Sequence, residues 1–329
     1  MHLGYPTQMN LELTTKCPMR CPQCYCALEG AKDLDFGRAL EVLRDGAKNG
    51  LSEVNLSGGE TMLYPRLYDL IEECSKLGLV SNIALSGYGV DGAALERLIG
   101  AGAGKIFVSL NGSTKEINSK TRSGYEYAVN ALALLQKAGF ARTAVNFVVH
   151  RTNCDDFFDM VDLCEKYEVC ALVLMAAKPT SKNELDTLPT ALQSKSLAEN
   201  IKKARTHTKV RIEIESCYSP LKAYLGRSYL FGNTNVGLAR GCGAGRDSVS
   251  LSVEGDFTPC RHLPFAEGHK TIGEYWENSE VLDRLRDIES SPGRPCGGCE
   301  FERYCLSCPA VGYKLDGKLE KANAHCFVR

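Results

Sequence analysis

Leu11-Glu-Leu-Thr-Thr-Lys-Cys-Pro-Met-Arg-Cys-Pro-Gln-Cys-Tyr25 decides how this chain is read. An apolar, strand-like run ends there in three thiols, Cys17, Cys21 and Cys24, on one tight loop. Three thiolates so placed can hold three irons of a [4Fe–4S] cluster and leave the fourth iron without a protein ligand. An iron left open in a low-potential cluster can bind a small molecule and reduce it. Structural zinc prefers paired CxxC spacing and four ligands, so half a zinc site fits this loop less well.

Outward from the loop, short apolar runs alternate with amphipathic ones. Strands are expected at 9–15, 53–57, 80–86, 105–110, 143–150 and 171–175. Between them, Leu67, Leu70, Ile71 and Cys74 keep the i, i+3, i+4, i+7 spacing of a buried helical stripe. Phe157, Met160, Val161 and Cys164 repeat it, and Leu40, Leu43 and Ala47 make a shorter version. Strand–helix alternation implies parallel strands covered by helices. In such folds the chemistry sits on loops at the C-terminal ends of the strands, which is where the cysteine loop falls. Gly100 to Gly104 precedes a strand instead of opening a helix, so it reads as a turn and not a phosphate loop. The basic run from Lys202 to Arg211 reads as a solvated helix face and its exit.

Three further motifs follow expected strands. Ser57-Gly-Gly-Glu60 follows the second, and its glycines permit close backbone approach to a ligand. Ser86-Gly87 follows the third. Ser109-Leu-Asn-Gly112 and then Arg122-Ser-Gly124 follow the fourth. With CxxxCxxC, this series resembles the radical SAM enzymes, whose unique iron binds S-adenosylmethionine and cleaves it to a 5′-deoxyadenosyl radical. The resemblance implies an open, partial (β/α)6 TIM-like barrel. It gives Gly58, Gly59 and Glu60 the amino group of the cofactor's methionine, has Ser109 contact the cofactor, and pairs Arg122 with its carboxylate. Bidentate carboxylate pairing suits an arginine. Ser86 is a candidate for the ribose. The family usually has an aromatic residue before the third cysteine, covering the adenine. Here Gln23 holds that position and Tyr25 follows one step later, so both are candidates. Asn111 replaces the usual acid, and Cys26 reads as a spectator thiol.

After residue 215 strands become scarce and Gly and Cys frequent. The chain divides on this reading into 1–214 and a cysteine-rich 215–329, in which bound metal would supply folding energy. Cys242, Gly255 and Cys260 are followed by Cys296-Gly-Gly-Cys299, Cys305, Cys308 and Cys326. This resembles the SPASM domain, which carries two auxiliary [4Fe–4S] clusters. Carried over by position, Cys296, Cys299, Cys305 and Cys326 hold the outer cluster. Cys242, Cys260 and Cys308 hold the inner one, with Cys217 a candidate fourth ligand. A zinc ribbon is the alternative for the 296–308 quartet. Cys74, Cys164, Cys170 and Cys154 are read as core residues.

The chain has 329 residues, 44% of them hydrophobic and 24% charged, as a globular protein does. A net charge of −1 gives no electrostatic reason to invoke nucleic acid or an anionic membrane. No apolar run approaches a membrane span, and the first residues lack a signal layout, so a cytoplasmic protein is expected. Sixteen cysteines are too many for packing alone, and in a reducing compartment metal ligation is the default reading.

The resemblance implies a ribosomally made peptide precursor as substrate and a crosslink, an epimerisation or excision of a tyrosine-derived fragment as outcome. Arg261, followed by His262, stands where sulfatase maturases carry an acid, which disfavours that branch. Further expected partners are a separate leader-peptide recognition protein and a reductant such as flavodoxin or ferredoxin. A radical SAM dehydrogenase acting on a small molecule is the alternative, and a non-catalytic iron–sulfur scaffold a second. His150, His262 and Tyr218 are weaker cavity candidates.

Overall fold

The computed structural model describes residues 2–26, 30–226, 241–288, 296–302, 305–321 and 324–328. Seven strands succeed one another in parallel: β1 (Gln8–Glu12), β2 (Glu53–Ser57), β3 (Val80–Leu85), β4 (Ile106–Ser109), β5 (Thr143–Val149), β6 (Ala171–Ala176) and β7 (Arg211–Ile214). β8 (Ser248–Leu251) then adds in parallel to the other side of β1, and β9 (Phe257–Thr258) pairs antiparallel with β8. The order is β7-β6-β5-β4-β3-β2-β1-β8-β9, an open sheet of nine strands.

The alternation along β1 explains the layering. Met9 and Leu11, with Leu13 just beyond the strand, are fully buried in the main core. Gln8 and Asn10, of opposite parity, line a cavity. Strand side chains alternate faces, so one sheet can serve a core and a polar cavity at once.

Helices α1 (Phe36–Asn49), α2 (Leu67–Lys76), α3 (Gly92–Gly100), α4 (Lys115–Ser119), α5 (Tyr125–Lys137), α6 (Phe157–Lys166), α7 (Ala191–Ala204) and α8 (Ser219–Leu225) follow in chain order. The stripes expected on α2 and α6 are their buried residues. On α1 the stripe differs. Ala39, Val42, Leu43 and Gly46 are buried, while Leu40 and Ala47 are only partly so. Gly46 sets this rotation, since a Cβ there would stand 2.7 Å from Leu51 and 2.9 Å from Ile272. Asp35 caps α1 by accepting from the Arg38 amide at 2.7 Å. Asp35→Ala is expected to destabilise the protein by about 1 kcal/mol, read as a lower denaturant midpoint at unchanged slope.

Two sequence readings need correction. Cys170, read as a core residue, is only half-buried; it lies one residue before β6, with the Arg211 guanidinium 3.8 Å from its sulfur. The sheet also continues past residue 214 into β8 and β9, which the scarcity of apolar pattern concealed. Phe257 stacks on Tyr275 at 5.2 Å, and both join the core with Trp276, Leu282 and Leu285. This stretch therefore draws packing energy from the barrel core. No described helix is long and apolar enough to cross a membrane.

Candidate active site

A cavity of about 750 Å³ opens at the C-terminal ends of the parallel strands. Cys17, Cys21 and Cys24 line it from the loop after β1, with Gly58 and Gly59 just after β2, Ser86 just after β3 and Ser109 at the end of β4. The cysteine loop is anchored at its root. Lys16 pairs with Asp33 at 2.6 Å, and the Thr14 hydroxyl donates to the same carboxylate at 2.7 Å. The Gly59 and Glu60 amides donate to Thr14 and Lys16 carbonyls at 2.6 and 2.7 Å. This requires glycine. A Cβ on Gly59 would lie 2.3 Å from the Lys16 carbonyl oxygen, and one on Gly58, whose φ is +151°, 2.5 Å from that of Thr14. Cys26 approaches the Gly58 carbonyl at 3.4 Å, and its hydrogen bond to Cys24 lowers the Cys24 pKa below that of an ordinary thiol.

Glu60 is buried and is not among the residues that line the cavity. Its carboxylate accepts from the Ser86 hydroxyl, the Ser86 amide at 3.0 Å and the Met62 amide at 3.2 Å. Burial nevertheless pushes its pKa up. Ser86 is thus occupied with Glu60.

Arg122 lines the cavity from the turn after α4, and its Nε is buried without a partner. Its backbone is fixed on both sides. Its amide donates to the Asn118 carbonyl at 2.8 Å, and the Asn118 side chain donates to the Arg122 carbonyl at 2.9 Å. Asn111, fully buried, braces the same turn. It donates to Thr121 at 3.0 Å and accepts from the Val148 amide at 3.0 Å. The amide thus donates and accepts at once, which an ionised acid cannot do.

Gln23 and Tyr25 diverge. The Gln23 amide oxygen meets His150 Nε2 at the end of β5, and burial lowers the His150 pKa to about 4. The Tyr25 ring packs against His262 with centroids 4.3 Å apart, and its hydroxyl accepts from Arg261 at 3.0 Å.

The cysteine-rich segment contributes a second set of thiols. Cys217, Cys242, Cys260 and Cys308 line the same cavity. Cys217 stands within hydrogen-bonding reach of both Cys242 and Cys308. Cys296, Cys299, Cys305 and Cys326 lie outside the cavity lining. Cys305 feels Cys296 and Cys326 and approaches the Ser219 hydroxyl at 3.3 Å. The Cys299 amide donates to the Cys296 carbonyl at 2.9 Å. Among the described residues no three His, Cys, Asp or Glu side chains converge tightly enough for a single metal ion. A [4Fe–4S] cube carries its thiolates on separate irons, farther apart than the ligands of a mononuclear site.

Sequence reasoning missed one ion pair here. Lys178 Nζ stands 2.9 Å from both oxygens of Glu215, just past β6 and β7. Burial disfavours the ammonium, but Glu215 outweighs it and holds its pKa above the usual range. A lysine directly after the apolar run 169–177 was the available signal.

Residues 11–164 match the model of the Radical SAM superfamily. That part of the chain is a radical SAM domain, with its cysteine loop, glycine pair and arginine on one cavity. The AdoMet-dependent heme synthase of Methanosarcina barkeri is 23% identical over 340 residues, covering 98% of this chain and 97% of that protein. The PqqA peptide cyclase of Rhodopseudomonas palustris is 24% identical over 343 residues, covering 98% and 87%. The structure of Streptococcus suis SuiB bound to S-adenosylmethionine superposes with a TM-score of 0.79 at 15% identity, covering 99% of this chain and 78% of SuiB.

Proposed function

We propose that the protein is a radical SAM enzyme that modifies a peptide precursor. The observation that carries this is the convergence of two thiol sets, Cys17/Cys21/Cys24 and Cys217/Cys242/Cys260/Cys308, on one cavity. A [4Fe–4S] cluster with bound S-adenosylmethionine supplies a carbon radical able to take hydrogen from an unactivated carbon. Cys17, Cys21 and Cys24 would hold that cluster. Gly58 and Gly59 leave the backbone approach that the methionine end of the cofactor needs, while Glu60 and Ser86 keep that turn rigid. Ser109 faces the same space. The unpartnered Nε of Arg122 is a buried donor lacking an acceptor, which a carboxylate would satisfy.

In this reading Cys217, Cys242, Cys260 and Cys308 hold an inner auxiliary cluster with four ligands, and Cys296, Cys299, Cys305 and Cys326 an outer one. The division at 214/215 then separates the first cluster from the auxiliary ones. Tyr25, engaged with His262 and Arg261, shapes the wall beside the adenine. A separate leader-peptide recognition protein, a flavodoxin or ferredoxin and a cytosolic setting complete the proposal. Support for a peptide comes from the PqqA peptide cyclase and from SuiB, which also binds a precursor peptide, SuiA. The similarity to a heme synthase supports a second reading, a small-molecule substrate in the same cavity. Mass spectrometry of precursor peptides and of metabolites after anaerobic turnover separates the two.

Arg122→Ala is expected to weaken S-adenosylmethionine binding by the worth of a charge-assisted hydrogen bond. That is about 1.5–3 kcal/mol, or roughly 10- to 150-fold. Titration of the reconstituted protein with S-adenosylmethionine measures it, and Arg122→Lys should recover only part because the planar fork is gone.

A further inference from the structure

Arg261 belongs to neither thiol set, yet it stands where they meet. It directly follows Cys260, and its Nη1 donates to the hydroxyl of Tyr25, which directly follows Cys24, at 3.0 Å. Its Nη2 donates to Asn10 Oδ1 at 3.1 Å. Both partners are neutral. A guanidinium has five N–H donors, and these two bonds are the ones it makes among the described residues. No described carboxylate lies within ion-pair distance of it. Glu12, the carboxylate whose field it feels, is not a contact.

Lys178 in the same wall differs, because Glu215 neutralises it at 2.9 Å. Arg261 is therefore a fixed, partly buried cation on the cavity wall with no described carboxylate in contact. Leaving a partly buried charge unpaired is costly, and two oriented neutral acceptors hold the fork rigid without quenching it.

We infer that Arg261 anchors a carboxylate of the peptide substrate, an acidic side chain close to the residue that is modified. This rests on the proposed function, which places the reacting segment between the two thiol sets. An anchor that links the residue after Cys260 to the residue after Cys24 fixes the register in which a peptide crosses the cavity.

The test uses affinity selection and mass spectrometry on the anaerobically reconstituted full chain with S-adenosylmethionine bound. Three pools of randomised octapeptides serve as probes. One has a fixed central Glu and an amidated C-terminus, one a fixed central Gln and an amidated C-terminus, and one the central Gln with a free C-terminus. The Glu pool should be retained roughly tenfold over the amidated Gln pool. That excess should vanish in Arg261→Gln and survive in part in Arg261→Lys, with iron content and circular dichroism reporting that each variant is folded.

Equal retention of the two amidated pools overturns the inference. So does preferential retention of the free-terminus pool, which assigns the cation to a chain end. A preference that persists in Arg261→Gln while the cluster reduction potentials shift also overturns it, and makes Arg261 a counter-charge to the iron–sulfur centres. Formation of 5′-deoxyadenosine by the wild-type preparation is measured in parallel. Its absence defeats the underlying reading, whereas its presence with equal retention defeats the anchor alone.

Discussion

Replacing Cys17, Cys21 and Cys24 together by alanine is expected to remove about four irons per chain and to abolish formation of 5′-deoxyadenosine. The three thiols line the cavity from one loop and are not part of the buried core. Their loss therefore costs little packing, and the sheet should remain folded. Cys26 cannot substitute. It is the one other described thiol on that loop, and a single sulfur at the Gly58 carbonyl cannot hold a cube. The second thiol set is untouched, so iron bound there should persist. Iron analysis, circular dichroism and chromatography of the products read the three outcomes separately. Retention of full iron by the triple variant would show that these cysteines are not ligands.

Gly59→Ala should be nearly as damaging to function for a different reason. Its Cβ would meet the Lys16 carbonyl oxygen at 2.3 Å, the Lys16 carbonyl carbon at 2.8 Å and the Thr15 oxygen at 2.9 Å. These are backbone atoms and cannot rotate away. The turn must move, straining the 2.7 Å bond from the Glu60 amide to the Lys16 carbonyl, and Lys16 is the residue before Cys17. Overpacking of this kind costs about 1–3 kcal/mol in stability. Displacement of about 1 Å at a reacting site lowers rate by roughly 100-fold. Gly92→Ala is the matched control. Nothing lies within 4 Å of its added Cβ, and it begins α3, so it should be neutral or slightly stabilising. Denaturant midpoints and product formation for the two variants test the contrast.

Much of this was legible in the chain because the signals are local. The α2 and α6 stripes each sit within one helix, and β2 falls where its apolar run predicts. The cysteine loop, the glycine pair and Arg122 are read from spacing, and strand order brings them to one end of the sheet. What escaped depends on contacts between distant residues. β7 and β8 are four-residue strands whose identity comes from docking on β6 and β1. The Lys178–Glu215 pair joins the ends of two strands, one of them unrecognised. The Arg261–Tyr25 contact spans 236 positions. Asn111 read as a lost acid, whereas its partners make it a brace for the turn that carries Arg122.

The central claim is tested most directly by anaerobic reconstitution with iron and sulfide, followed by dithionite and S-adenosylmethionine, with 5′-deoxyadenosine counted per chain. The account predicts cleavage by a protein holding about eight or more irons. A protein loaded with iron and binding S-adenosylmethionine that yields no 5′-deoxyadenosine would contradict it.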